Sequence, residues 1–151
     1  MSTELSVNYT LPSLTPEQDD LMSEIKERAL ALPQVAFKTH HVLHAGMYCR
    51  TVMITAGTFI VGAKIKKPTL VTICGSARLF IPTGPVDLSG YAVLPGMPDR
   101  RMALLALEDT HLSMTFVTQA KTVQEAEAEF TDETEDLLSR VNENEITITG
   151  V

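Results

Sequence analysis

The stretch Thr58-Phe-Ile-Val-Gly-Ala-Lys-Ile65, Lys67-Pro68, Thr69-Leu-Val-Thr-Ile-Cys74, Gly75-Ser76, Ala77-Arg-Leu-Phe-Ile81, Pro82-Thr-Gly-Pro85 decides the fold class. Short runs rich in β-branched residues alternate with pairs or quartets of turn formers, the pattern of strands joined by tight connections. The same rhythm extends outward. Tyr48–Ile54 precedes the turn Ala56-Gly57, and Tyr91–Leu94, Met102–Leu107 and Leu112–Thr118 follow, separated by Pro95-Gly96-Met97-Pro98 and Glu108-Asp109. Seven or eight short strands at this spacing predict a sandwich or closed barrel.

Helical periodicity flanks this block. Thr15, Pro16 and Glu17 form a start signal: a capping hydroxyl, a proline at the first position, and an acid at the positive end of the dipole. Leu21, Met22, Ile25 and Ala29 recur at three- and four-residue spacing and predict one buried face, with Pro33 stopping the helix. After Lys121, Thr122-Val-Gln-Glu125 reads as a capping box, and Thr131 would cap a second helix packing through Leu137, Leu138 and Val141. Ile146-Thr-Ile-Thr-Gly-Val151 alternates like a last strand, suited to pairing with a partner chain. The expected organisation is an extended arm (1–14), an N-terminal helix (15–32), a β-barrel (33–121), and an acidic helical segment with a final strand (122–151).

With 151 residues, 44% of them hydrophobic, and a mean hydropathy of +0.09, the chain can bury a core, which argues against disorder. No apolar run reaches the roughly 18 residues of a membrane span, and the N-terminus lacks the basic start and apolar stretch of a secretion signal. The expected location is the cytoplasm, with no membrane partner. Cys49 and Cys74 lie in separate apolar runs, so buried free thiols are expected, a disulfide or catalytic thiol being the alternative. Charge is uneven. Residues 1–32 carry six acids and two bases, 33–121 four acids and nine bases, and 122–151 nine acids and one base. A chain of net charge −7 does not suit nucleic-acid binding. The basic middle would hold a small anion or be neutralised by the acidic helices.

The stretch Gly46-Met-Tyr-Cys-Arg50, Ala56-Gly-Thr-Phe-Ile-Val-Gly62, Gly75, Leu94-Pro-Gly96 and Arg100 resembles the two-motif core of the cupin superfamily. It looks especially like the small single-domain cupins of tailed bacteriophages. The resemblance covers about residues 40–120 and implies a mainly β fold: a double-stranded β-helix, or jelly-roll barrel, with an N-terminal helix and C-terminal helices. It aligns Gly57 and Gly75 with the glycines of the first motif and, allowing one inserted residue, Lys64 and Lys66 with its two histidines. The acid's place falls near Leu70 or Val71, and Arg100 or Arg101 takes the place of the second motif's histidine. Protonated lysine and arginine offer no lone pair to a metal, so no metal or other cofactor is expected.

On an alternating strand Lys64 and Lys66 share a side with Ile60 and Gly62, which the resemblance places at the barrel mouth near Arg100. Buried cations need an acid, water or an anionic ligand. The candidate ligand-binding set is Lys64, Lys66, Arg50, Tyr48, Arg100, His44 and His111, with no catalytic residue assigned; pairing with Asp99, Glu108, Asp109 or the C-terminal acids is the competing account of the lysines. His40, His41 and His44 cluster before the first barrel strand, but adjacent histidines point to opposite faces, which disfavours a metal site there.

Two functions fit. The first is a non-metal cupin acting as a binding or assembly module, a homo-oligomer with a phage or host protein as partner, in the host cytoplasm or the virion. The second is a metal-independent isomerase, epimerase or lyase acting on a small anionic sugar or acid. A metal-dependent oxygenase ranks third. A cavity plugged by Phe59, Phe80 and Phe116 would favour the first.

Overall fold

A computed structural model describes residues 10–150; residues 1–9 of the arm expected over 1–14, and the terminal Val151, lie outside them. The chain forms α1 (Pro16–Leu30), β1 (Thr39–His44), β2 (Met47–Ile54), β3 (Phe59–Val61), β4 (Thr69–Ile81), β5 (Gly84–Gly96), β6 (Ala103–Ala106), β7 (Thr110–Val117), α2 (Val123–Phe130) and β8 (Asn144–Thr149). Two short 3₁₀ turns, Thr134–Asp136 and Leu138–Arg140, stand between α2 and β8. The protein is mainly β: one curled sheet ordered β3-β6-β4-β7-β2-β1-β8, with β5 on the other edge of β4.

β4 is the spine. Its whole length pairs with β5 across the two-residue turn Pro82-Thr83. Its other edge pairs first with β7, through Leu70–Cys74, and then with β6, through Ala77–Phe80. The sequence suggests two strands broken at Gly75-Ser76; the structure has one strand kinked there. Gly75 sits at φ +143°, and a Cβ would lie 2.5 Å from Thr110 Oγ1 and 2.8 Å from the Asp109 carbonyl oxygen. Only glycine fits where the β6–β7 turn crosses the spine. The run expected from Thr58 to Ile65 yields a strand only over Phe59–Val61, followed by a bridge between Ile65 and Arg100.

Alternation sorts each strand into an inner and an outer face. Thr39, His41 and Leu43 of β1 point inward, whereas His40, Val42 and His44 point out. The histidines expected before the first strand are therefore the first strand. Two apolar clusters fill the concave side. One gathers Ile54, Val71, Ile73, Leu79, Leu94 and Leu104 with Leu11 and Phe37; the other gathers Leu43, Tyr48, Phe116, Ala126, Phe130 and Leu137. Cys49 and Cys74 are both free. Cys49 is half-buried, and Cys74 is exposed on the outer face rather than buried as expected.

The helices differ from expectation in instructive ways. Thr15 and Gln18 close a full capping box on α1, yet no α1 residue is buried; Met22, Ile25 and Ala29 are half-covered and Leu21 is 58% exposed. The helix touches the narrow strand β3, and Lys26 and Asp19 tie it down by ion pairs. Thr122 caps α2 through Glu125 N–H, but the Glu125 carboxylate accepts from the Lys121 N–H, so the box is half made. No helix starts at Thr131. Leu137 and Leu138 pack against the two apolar clusters and Ser139 is buried, and a single helical stripe cannot bury such a run of adjacent residues. Val141 is left 77% exposed.

Candidate functional site

Between the curled sheet and the 137–138 segment lies a cavity of about 180 Å³. Val52 of β2, Val71 of β4, Leu112 and Met114 of β7, and Ile60 of β3 line its sheet side; Phe130, Leu137 and Leu138 close it. The wall is apolar except for Arg50, Arg100 and Asp136. Phe59, Phe80 and Phe116 do not line it: Phe59 packs edge-on against Phe80, and Phe116 lies tilted against Tyr48 and edge-on to Phe130 in the second cluster.

Arg50 reaches the cavity with its charge already matched. Nη1 donates to Glu127 Oε2 at 3.0 Å, Nη2 donates to Ser139 Oγ at 3.2 Å, and the guanidinium lies 5.6 Å from the Phe130 ring centre. Glu127 is 2% exposed; it also accepts from the Ser139 hydroxyl and pairs with Arg140 Nε at 3.2 Å. Behind Arg50, Tyr48 is fully buried with its hydroxyl 2.7 Å from His41 Nδ1, while His41 Nε2 is 2.7 Å from Asn144 Oδ1. Asn144 donates its amide hydrogens to the carbonyls of Ser139 and Asn142, so Oδ1 must be its acceptor. His41 therefore carries its proton on Nε2 and accepts the Tyr48 hydroxyl at Nδ1. Burial holds His41 below the usual imidazole range and pushes Tyr48 up to about 12. These two groups satisfy each other, and neither lines the cavity.

Arg100 is different. It is 4% exposed and lines the cavity, donating to the Met97 carbonyl at 2.7 Å and to the Thr69 hydroxyl. Its guanidinium lies over Gly96, where a Cβ would be 2.5 Å from Cζ. No carboxylate among the described residues pairs with it, and burial alone lowers its pKa to about 10, so it stays cationic at neutral pH.

The structure divides the residues singled out from sequence. Arg50 and Arg100 share the cavity, with Tyr48 behind Arg50. Lys64 and Lys66 do not face it. Ile65 bridges to Arg100 and lines the cavity, so its neighbours turn away: Lys64 to Asp19 at 2.7 Å and Lys66 to Asp132 at 2.6 Å. His44 and His111 project from the outer face, and His44 Nδ1 lies 2.9 Å from Thr149 Oγ1. Arg101 turns from the cavity into a two-pronged pair with Glu133, which also binds Lys26; the Arg101 hydrogen bonds lead in holding Glu133 at about 2. No group of three or more His, Cys, Asp or Glu gathers as a metal cage among the described residues. Glu127 and Ser139 were missed as site residues. One signal was legible: Val123, Ala126, Glu127 and Phe130 share a helical face, and an acid on such a stripe needs a buried partner.

The curled sheet forms a half-barrel. No family model and no curated protein matches the chain. Similar solved structures include a cupin-2 domain containing protein from Shewanella frigidimarina, at 8% identity over 60% of this chain and 90% of that one, TM-score 0.41. A Neisseria meningitidis protein is similar at 11% identity over 62% and 96%, TM-score 0.39. Salicylate 1,2-dioxygenase from Pseudoaminobacter salicylatoxidans, bound to gentisate, is similar at 13% identity and TM-score 0.45 over 82% of this chain, which spans 38% of the dioxygenase. No helix among the described residues is long and apolar enough to cross a membrane.

Proposed function

We propose that the chain is a non-enzymatic binding module whose barrel cavity takes a small, largely apolar carboxylic acid. The observation that carries this reading is Arg100, a buried cation with no carboxylate partner in the wall of an apolar cavity. A guanidinium has five N–H donors, and the carbonyl and hydroxyl acceptors around Arg100 leave some of them for a ligand. A carboxylate there would compensate a charge whose burial otherwise costs several kcal/mol. The volume suits a ligand of benzene-to-benzoate size, since an apolar cavity of about 150 Å³ accepts benzene. The mutual satisfaction of His41 and Tyr48 away from the cavity supports binding over proton transfer.

Thermal-shift and calorimetric titration with benzoate and 3-methylbutanoate, each against its neutral amide, tests the reading. The acids should stabilise the protein and the amides should not, with the effect lost in Arg100→Met. Equal stabilisation by acid and amide would overturn it.

The reading includes a homo-oligomer joined along β8. That strand pairs with β1 on one side and forms the end of the sheet, with Ile146 50% and Ile148 43% exposed. Antiparallel self-pairing about Thr147 sets Ile146 beside the copy's Ile148 and Glu145 beside its Thr149, so no like charges meet.

A further inference from the structure

The outer face of the sheet carries a row the cavity does not explain. Met53 of β2 lies opposite His111 of β7, and His111 lies opposite Cys74 of β4. Alternation points all three outward: Cys74 and His111 are exposed and Met53 is 38% exposed. Directly opposed residues on neighbouring strands hold their Cβ atoms about 4.5–5.5 Å apart. A thiol and a thioether therefore flank one imidazole, each within side-chain reach of it. No hydrogen bond or ion pair among the described residues engages the His111 ring or the Cys74 thiol.

We infer that Met53, His111 and Cys74 form a surface site for Cu(I). Thiolate and thioether sulfur select soft ions, and imidazole completes a set of two sulfurs and one nitrogen that a d¹⁰ ion accepts in trigonal geometry. Harder ions find little here. The adjoining outward row is Thr51, Ser113 and Thr72, all hydroxyls, and Asp109 on the other side accepts the Ala56 N–H at 2.9 Å. The second thiol does not join, because Cys49 stands opposite Thr115, four residues along β7 from His111, about 13 Å away. Binding exchanges the Cys74 thiol proton for the ion, with no change of oxidation state: the S–H bond breaks, the S–Cu bond forms, and the proton leaves to solvent.

The test is an anaerobic competition titration of tag-free, fully reduced protein against the chromogenic Cu(I) chelator bicinchoninate. One equivalent of Cu(I) should pass to the protein. Cys74→Ser should abolish transfer, and His111→Gln and Met53→Leu should each weaken it at least ten-fold. All three lie on the solvent face, so circular dichroism should confirm an unchanged fold. Transfer that survives Cys74→Ser would overturn the site. So would transfer that depends on Cys74 but not on His111 or Met53, since that is a lone surface thiol, and so would preferential uptake of Zn²⁺ by the same residues.

Discussion

Replacing Glu127 by alanine probes the charge arrangement most severely. The carboxylate is 2% exposed and answers Arg50, Arg140 and the Ser139 hydroxyl. Arg140 is 38% exposed and returns to water at little cost, but Arg50, at 13%, stays buried facing an apolar cavity. Removing one member of a buried pair costs about 3–5 kcal/mol because the other charge is left behind. That is a large share of the roughly 5–15 kcal/mol available to a domain. At about 2–4 °C per kcal/mol for a chain of this size, the melting temperature should fall by about 6–20 °C. Urea unfolding followed by far-ultraviolet circular dichroism measures the free energy directly. The companion double variant Arg50→Met, Glu127→Leu removes both charges at similar volume and should recover most of the loss. A single-variant cost below about 1 kcal/mol, or a double variant no better than the single, would refute the claim that Arg50 is held by Glu127.

Four further outcomes follow from the same geometry. His41 is buried neutral with its pKa lowered, so its stabilisation is complete above the ordinary imidazole value of about 6.5 and fades as pH drops below it; in His41→Leu, urea midpoints between pH 6.5 and 5 should lose that slope, and an unchanged slope would contradict the assignment. Glu133 is held at about 2, so its contribution is present above its ordinary value of about 4.5 and is lost on acidification towards pH 2; Glu133→Gln should flatten the acid limb of the stability profile in that window alone. Gly75→Ala forces a Cβ into Thr110 and the Asp109 carbonyl at positive φ and should cost at least 1–3 kcal/mol, whereas Gly57→Ala, with open space around its Cβ, should be milder. Ile148→Lys should convert the protein to a monomer in light-scattering chromatography, and an unchanged mass would sink the β8 interface.

The strands were legible because their signals are local: β-branched runs broken by Pro82-Thr83 or Glu108-Asp109 announce themselves within a few residues. Gly75-Ser76 misled because a kink and a turn ask for the same glycine, and only the β6–β7 crossing distinguishes them. The site was harder. Arg50 and Arg100 could be placed at the barrel interior, but Lys64 and Lys66 were assigned by extending strand alternation past Val61, where β3 ends. Their partners Asp19 and Asp132 sit 45 and 66 residues away, and no periodicity encodes such pairings. The 137–139 segment shows the same limit. Its composition permits a helix, and the need to bury consecutive residues forbids one.

The tie between Lys26 and Glu133 spans 107 residues, and the helix it anchors buries none of its own side chains. On the ribosome, α1 emerges early and can meet β3 and Lys64 once they follow, but Lys26 finds Glu133 and Asp136 only after nearly the whole chain has been made. Part of its hold on the body is thus made late in synthesis, so a nascent chain stalled within the sheet would keep α1 by β3 and the Asp19–Lys64 pair alone, and more open to proteolysis.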